Sequence, residues 1–139
     1  MLKKTINYTD YNGSEREEDH YFNLSKAEIM EMELSTAGGL SGMIQDIVKT
    51  QDGPAIMKIF KDIILKSYGK KSPDGKRFEK SEEISKAFEQ TEAYSVLFME
   101  LVTDADAAAA FVNGIIPSDV AKEISSDGDI QQALTLVNN

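Results

Sequence analysis

The chain has no cysteine and no tryptophan, three prolines, and a single histidine in 139 residues. Without thiols, disulfides, zinc–thiolate sites and thiol nucleophiles are excluded. The core must be built from Ile, Leu, Met, Val and Phe. Long hydrophobic runs are also missing. The apolar stretches are as short as Ala107 to Val112, well below the roughly 20 residues that span a bilayer. Met1-Leu2-Lys3-Lys4-Thr5 lacks the apolar segment of a signal peptide. The expectation is a soluble protein of the cytoplasm with no membrane partner. Positive charge is scarce: Lys plus Arg is 15 against 24 for Asp plus Glu, a formal charge of −9. Such a field repels nucleic acid and anionic lipid, so neither is expected as a partner.

What is present is ordinary for a globular chain, with 41% hydrophobic and 28% charged residues. The length predicts one domain with a real core. Residues 2–9 and 17–24 read as two strands. Asp10-Tyr11-Asn12-Gly13 between them is a turn signal, because Asn and Gly accept positive φ cheaply. Ser25-Lys26-Ala27-Glu28 is a capping box and opens a helix. That helix runs to Gly38-Gly39. Leu40, Met43, Ile44, Ile47 and Val48 then repeat at three- and four-residue spacing, which predicts an amphipathic helix over 40–48.

Pro54 restarts the pattern, and Ile56, Phe60, Ile63 and Ile64 form the stripe of a helix over about 54–68, with Gly69 in a left-handed C-terminal position. Residues 70–80 read as an exposed loop or small turn structure. Ser81 caps a helix over 82–90. Thr91 caps another, with Tyr94, Leu97, Phe98 and Leu101 on one face. Thr103, Asp104 and Asp106 open a further helix, which Asn113-Gly114 ends. Pro117-Ser118-Asp119 starts a short helix through Ile124, followed by a tail that need not be ordered. The expected fold is mainly α: an N-terminal β-hairpin (1–24) followed by a compact bundle of five to seven short helices. Residues 1–117 form the domain and 118–139 a C-terminal appendage.

No constellation carries chemistry. Asp104 and Asp106 sit at a helix start, where capping and the dipole account for both acids. Asp127-Gly128-Asp129 resembles a fragment of a calcium loop, but the twelfth position is Asn138 where the loop needs Glu. His20 has no nucleophile or orienting acid arranged around it and reads as solvated or strand-paired. Gly38-Gly39-Leu40-Ser41-Gly42 lacks the Gly-Lys-Ser/Thr ending of a phosphate loop and reads as an interhelical turn. Neither a cofactor nor a metal is expected, and the chain is not expected to be an enzyme.

Charge is unevenly spread. Lys58, Lys61, Lys66, Lys70, Lys71, Lys76, Arg77 and Lys80 cluster in 58–80, while acids dominate 15–33. The two stretches are either solvated faces or complementary patches that steer partners or self-association. Methionines at 30, 32, 43, 57 and 99 suit either a core or an adaptable client surface.

Four stretches resemble a known family: residues 1–13, Tyr21–Glu28, Ser67–Phe78 and Thr103–Pro117. Together, over about residues 1–117, they are similar to the tail assembly chaperones of long, non-contractile-tailed (siphovirus-type) phages and prophages of Gram-positive bacteria. The resemblance implies a protein of the host bacterial cytoplasm that holds the tape measure protein, recruits major tail protein subunits and leaves before the virion is complete. It also implies that a frameshifted longer form often accompanies the short one. It carries no catalytic motif. If helix flanks hold the client, the candidate protein-binding residues are Met43, Ile47, Ile56, Phe60, Ile63, Tyr94, Phe98 and Leu101. The competing expectation is a structural virion component, such as a head–tail connector or tail completion protein.

Overall fold

The computed structural model describes residues 1–35 and 53–117. The expected helix at 40–48, the glycine-rich turn at 38–42 and the C-terminal helix beyond Ser118 lie outside them.

The expected N-terminal hairpin is present. Strand β1 (Leu2–Thr9) pairs antiparallel with β2 (Glu15–Phe22) in unbroken register from Leu2↔Phe22 to Thr9↔Glu15. Asp10 organises the turn. Its carboxylate accepts from the amides of Asn12 and Ser14, both at 2.9 Å, and Gly13 takes φ 82. The second strand begins inside the acidic run, earlier than the sequence implied. Its acids alternate out of the sheet, where Glu15, Glu17 and Asp19 stay exposed.

Helix α1 (Lys26–Ser35) begins with the expected capping box. Glu28 N–H donates to Ser25 Oγ at 3.2 Å, and Ser25 N–H donates to the Glu28 carboxylate at 3.0 Å. Helix α2 (Gly53–Ser67) then runs directly into strand β3 (Tyr68–Lys71), which pairs with β4 (Phe78–Glu79). Two expectations are corrected here. Residues 70–80, expected as an exposed loop or small turn structure, lie in a second β-hairpin, with Gly75 at φ 73 in its turn. Gly69 is not a left-handed helix cap but a strand residue pressed under a ring. A Cβ there would lie 2.7 Å from Phe78 Cε2 and 2.9 Å from the Glu79 carbonyl oxygen.

β3 also pairs with β2 through Tyr21↔Gly69 and Phe22↔Tyr68. The result is a four-stranded sheet of order β1-β2-β3-β4. Helices α3 (Glu82–Glu89), α4 (Glu92–Thr103) and α5 (Ala105–Ile115) follow. Each start was legible in the sequence. Ser81 Oγ accepts from Ile84 N–H, Thr91 Oγ1 from Tyr94 N–H, and the Asp104 carboxylate from the amides of Asp106 and Ala107. Asn113-Gly114 does not end α5. The helix continues to Ile115, whose side chain is buried and whose carbonyl accepts from Leu24 N–H at 2.6 Å. Gly114 gives room to Leu2, whose Cδ1 would sit 2.9 Å from a Cβ at that position.

The described residues thus hold five helices and a sheet of sizeable weight. Helix content agrees with the mainly α expectation. The compact bundle does not describe the arrangement, because the helices pack on one face of a sheet. Phe22, Leu24, Phe60, Ile64, Leu97, Leu101 and Ile115 are the most enclosed large side chains between the two layers. The missed sheet has a simple cause: β3 and β4 are only four and two residues long, so their pairing is set by neighbouring strands, β2 for β3 and β3 for β4, and not by local propensity.

Candidate protein-binding surface

The residues expected to hold a client divide sharply in the structure. Met43 and Ile47 lie outside the described residues, and of Ile56 only its place on α2 is described. Phe60, Ile63 and Leu101 are buried at 2%, 2% and 0% exposure. Their side chains are engaged in the core. Tyr94 and Phe98 are half-buried on one flank of α4, with ring centroids 5.9 Å apart. Tyr94 also meets Phe88 edge-on at 5.9 Å. Burial first, and then the carboxylates of Glu89 and Asp62, push the Tyr94 phenol upward, so it stays neutral.

The apolar surface actually in water comes from other residues. Met30, Met57, Val96 and Met99 are all exposed. Met30, Met57 and Met99 belong to the methionine set noted in the sequence. Val96 was missed because the stripe through Leu97 and Leu101 defined the inward face. An apolar residue off that stripe was the available signal. Unbranched methionine side chains re-pack cheaply, which suits contact with a changing partner.

Charged pairs border these positions. Lys61 bridges Glu89 at 3.3 Å, Lys4 bridges Glu100 at 2.8 Å, and Lys80 bonds both Glu28 at 2.5 Å and the Asn23 carbonyl at 2.6 Å. Burial alone would raise the Glu28 carboxyl, but the bonds from Lys80 and the Ser25 amide outweigh it and hold the group below its usual range. The basic stretch 58–80 is therefore partly neutralised within the fold. Lys71 lies over the Tyr21 ring at 4.7 Å to the centroid.

His20 sits within an aromatic nest. Its ring is 5.2 Å from Phe88 and 6.1 Å from Tyr68, which themselves stack 4.0 Å apart. Its Nε2 is buried with no hydrogen-bond partner among the described residues, and burial depresses its pKa. It is strand-paired opposite Lys4, not solvated. Beside it, where β3 parts from β2, an open cleft of about 590 Å³ is lined by Glu18, His20, Tyr21, Tyr68 and Lys70. Among the described residues no three carboxylates or imidazoles gather as a metal site would require.

The described residues thus form a sheet-backed helical layer that leaves Met30, Met57, Val96 and Met99 exposed. A family model described as phage tail assembly chaperone matches residues 1–137. The chain belongs to the phage tail assembly chaperones. No curated protein matches it, and no solved structure does. The family match extends past Pro117, to residue 137. No helix among the described residues of this chaperone is long and apolar enough to cross a membrane.

Proposed function

We propose that this chaperone holds the tape measure protein and tail tube subunits transiently in the host cytoplasm during morphogenesis of a long, non-contractile tail. The setting is a phage or prophage of a Gram-positive host. The observation that carries the proposal is the coexistence of family membership with methionine side chains left in water on α1 and α2. A tape measure protein is a long helical client whose apolar stripe needs cover before the tube forms around it. An adaptable apolar flank gives that cover without committing to one register. The client face combines Met57 of α2 with the half-buried pair Tyr94 and Phe98 of α4. Phe60, Ile63 and Leu101 act beneath it by fixing the helices that present it. The net charge of −9 keeps the loaded complex soluble.

Co-expression with the tape measure protein encoded beside it tests the reading. The chaperone is expected to raise the soluble fraction of that protein and to co-purify with it. Equal insolubility of the client with and without the chaperone would defeat the proposal. Mass spectrometry of purified virions separates it from a structural role, since a chaperone is absent from the finished particle and a connector is present.

A further inference from the structure

Among the described residues the outer edge of β1 is open. The backbone bond from Asp10 N–H to the Ser14 carbonyl begins the hydrogen-bonded pairs of the first hairpin at even positions. Alternation then turns Leu2, Lys4, Ile6 and Tyr8 toward β2, and aims the N–H and C=O groups of Lys3, Thr5, Asn7 and Thr9 away from the sheet. Those four residues are exposed, and among the described residues no strand pairs there. The strand carries neither proline nor bulge over its whole length. Folds usually guard so long and regular an edge.

Helix α4 lies alongside this edge. Lys4 bonds Glu100 near the start of β1, and the Glu92 carboxylate lies close enough to Tyr11, beside the hairpin turn, to raise its phenol. These two contacts fix α4 antiparallel to β1. Tyr94 and Phe98 occupy the flank turned toward α2 and α3. Val96 and Met99 occupy the flank on the Glu100 side, and they are 40% and 53% exposed. An unpaired strand edge and an apolar helix flank therefore lie next to each other, apart from the client face above.

We propose that this combined edge is the contact between two copies of the chain, joined by an antiparallel β1–β1 pairing with Ile6 opposite Ile6 of the partner. Strand parity requires this kind of register, because only even positions facing even positions keep both helical layers on the same side. The two sheets merge into one of eight strands, and the two α4 helices come side by side over Val96 and Met99. Charge selects a second copy and its direction. One end of the edge carries Lys3 and the other end Glu15, whereas Lys4 is held by Glu100 and Arg16 engages both Asp10 and Glu18. Antiparallel pairing sets Lys3 opposite the partner's Thr9, whose neighbour in β2 is Glu15. Parallel pairing would stack lysine on lysine instead. An isologous contact of this kind closes at two and leaves the client flank of α4 outside it.

Sedimentation equilibrium of the full chain tests the proposal. The expected species has twice the 15.4 kDa chain mass. Asn7→Pro removes an outward-facing N–H that the β1–β2 ladder does not use, and Val96→Glu with Met99→Glu charges the helix contact. Each change is expected to raise the dimer Kd on the order of tenfold or more. Moving from about 0.05 M to about 0.5 M salt weakens the dimer by screening the lysine–acid ends. Far-UV circular dichroism melting confirms that the variants fold. If Asn7→Pro does not fold, the Val96→Glu, Met99→Glu variant at exposed positions decides alone. A chain that stays monomeric at the highest concentration reached overturns the proposal, and so does a dimer indifferent to the helix-flank variant.

Discussion

Two residues show how a single side chain, or its absence, governs this chaperone. Gly69 has no positive φ to justify it; its reason is the Phe78 ring lying where a Cβ would go. Gly69→Ala must push either that ring or the β4 backbone, and is expected to cost about 1–3 kcal/mol in denaturant unfolding. Nothing in the string Tyr68-Gly69-Lys70 announces this, because Phe78 approaches only once the second hairpin has formed. His20 is the second case. Burial holds its folded pKa below the ordinary 6.5, so the unfolded chain binds its proton more readily. Stability from this site is complete above the unfolded value and is lost as pH falls below it toward the folded one. The slope of unfolding free energy against pH, measured between about pH 7.5 and 5.5, is expected to flatten in His20→Phe. An unchanged slope would assign the pH response to other groups. Glu28 behaves in the opposite chemical sense with the same outcome at lower pH. Its depressed carboxyl adds stability above its unfolded pKa, and that stability is lost as acid protonates it through the folded pKa.

Among elements, the helix starts were legible and the second hairpin was not. A cap is a local transaction: Ser25, Ser81, Thr91 and Asp104 each satisfy amides within three residues, so sequence spacing is enough to find them. Asp104→Ala is expected to cost about 1 kcal/mol, read by thermal unfolding, since two α5 amides lose their acceptor. The alternative role for Asp104 and Asp106 as paired ligands predicts no such loss. The end of α5 was misjudged for the converse reason. Asn-Gly is a stop signal in isolation, but the burial of Ile115 and its bond to Leu24 extend the helix by tertiary contact. β3 and β4 were hidden for the same reason, since their register comes from partners and four and two residues are too few to show an alternation.

For the whole molecule, the apolar stripes that marked out a client surface are largely the core. Sequence periodicity tells which face of a helix is apolar, but not whether that face meets a sheet or a partner. Phe60→Ala and Leu101→Ala are therefore expected to lose roughly 2–5 kcal/mol of stability. Met57→Lys is expected to leave stability within about 0.5 kcal/mol while lowering recovery of soluble tape measure protein. A Met57 variant that solubilises the client as well as the wild type would move the client face elsewhere. The order of the strands also sets a timetable. The N-terminal hairpin leaves the ribosome first, yet β3, its partner in the sheet, follows Tyr21 by about 50 residues. At roughly 5–20 residues per second, the nascent hairpin waits several seconds with both long edges bare. A chaperone thus passes through an interval in which its own first hairpin needs guarding, and a slow stretch of codons between α1 and α2 would lengthen it.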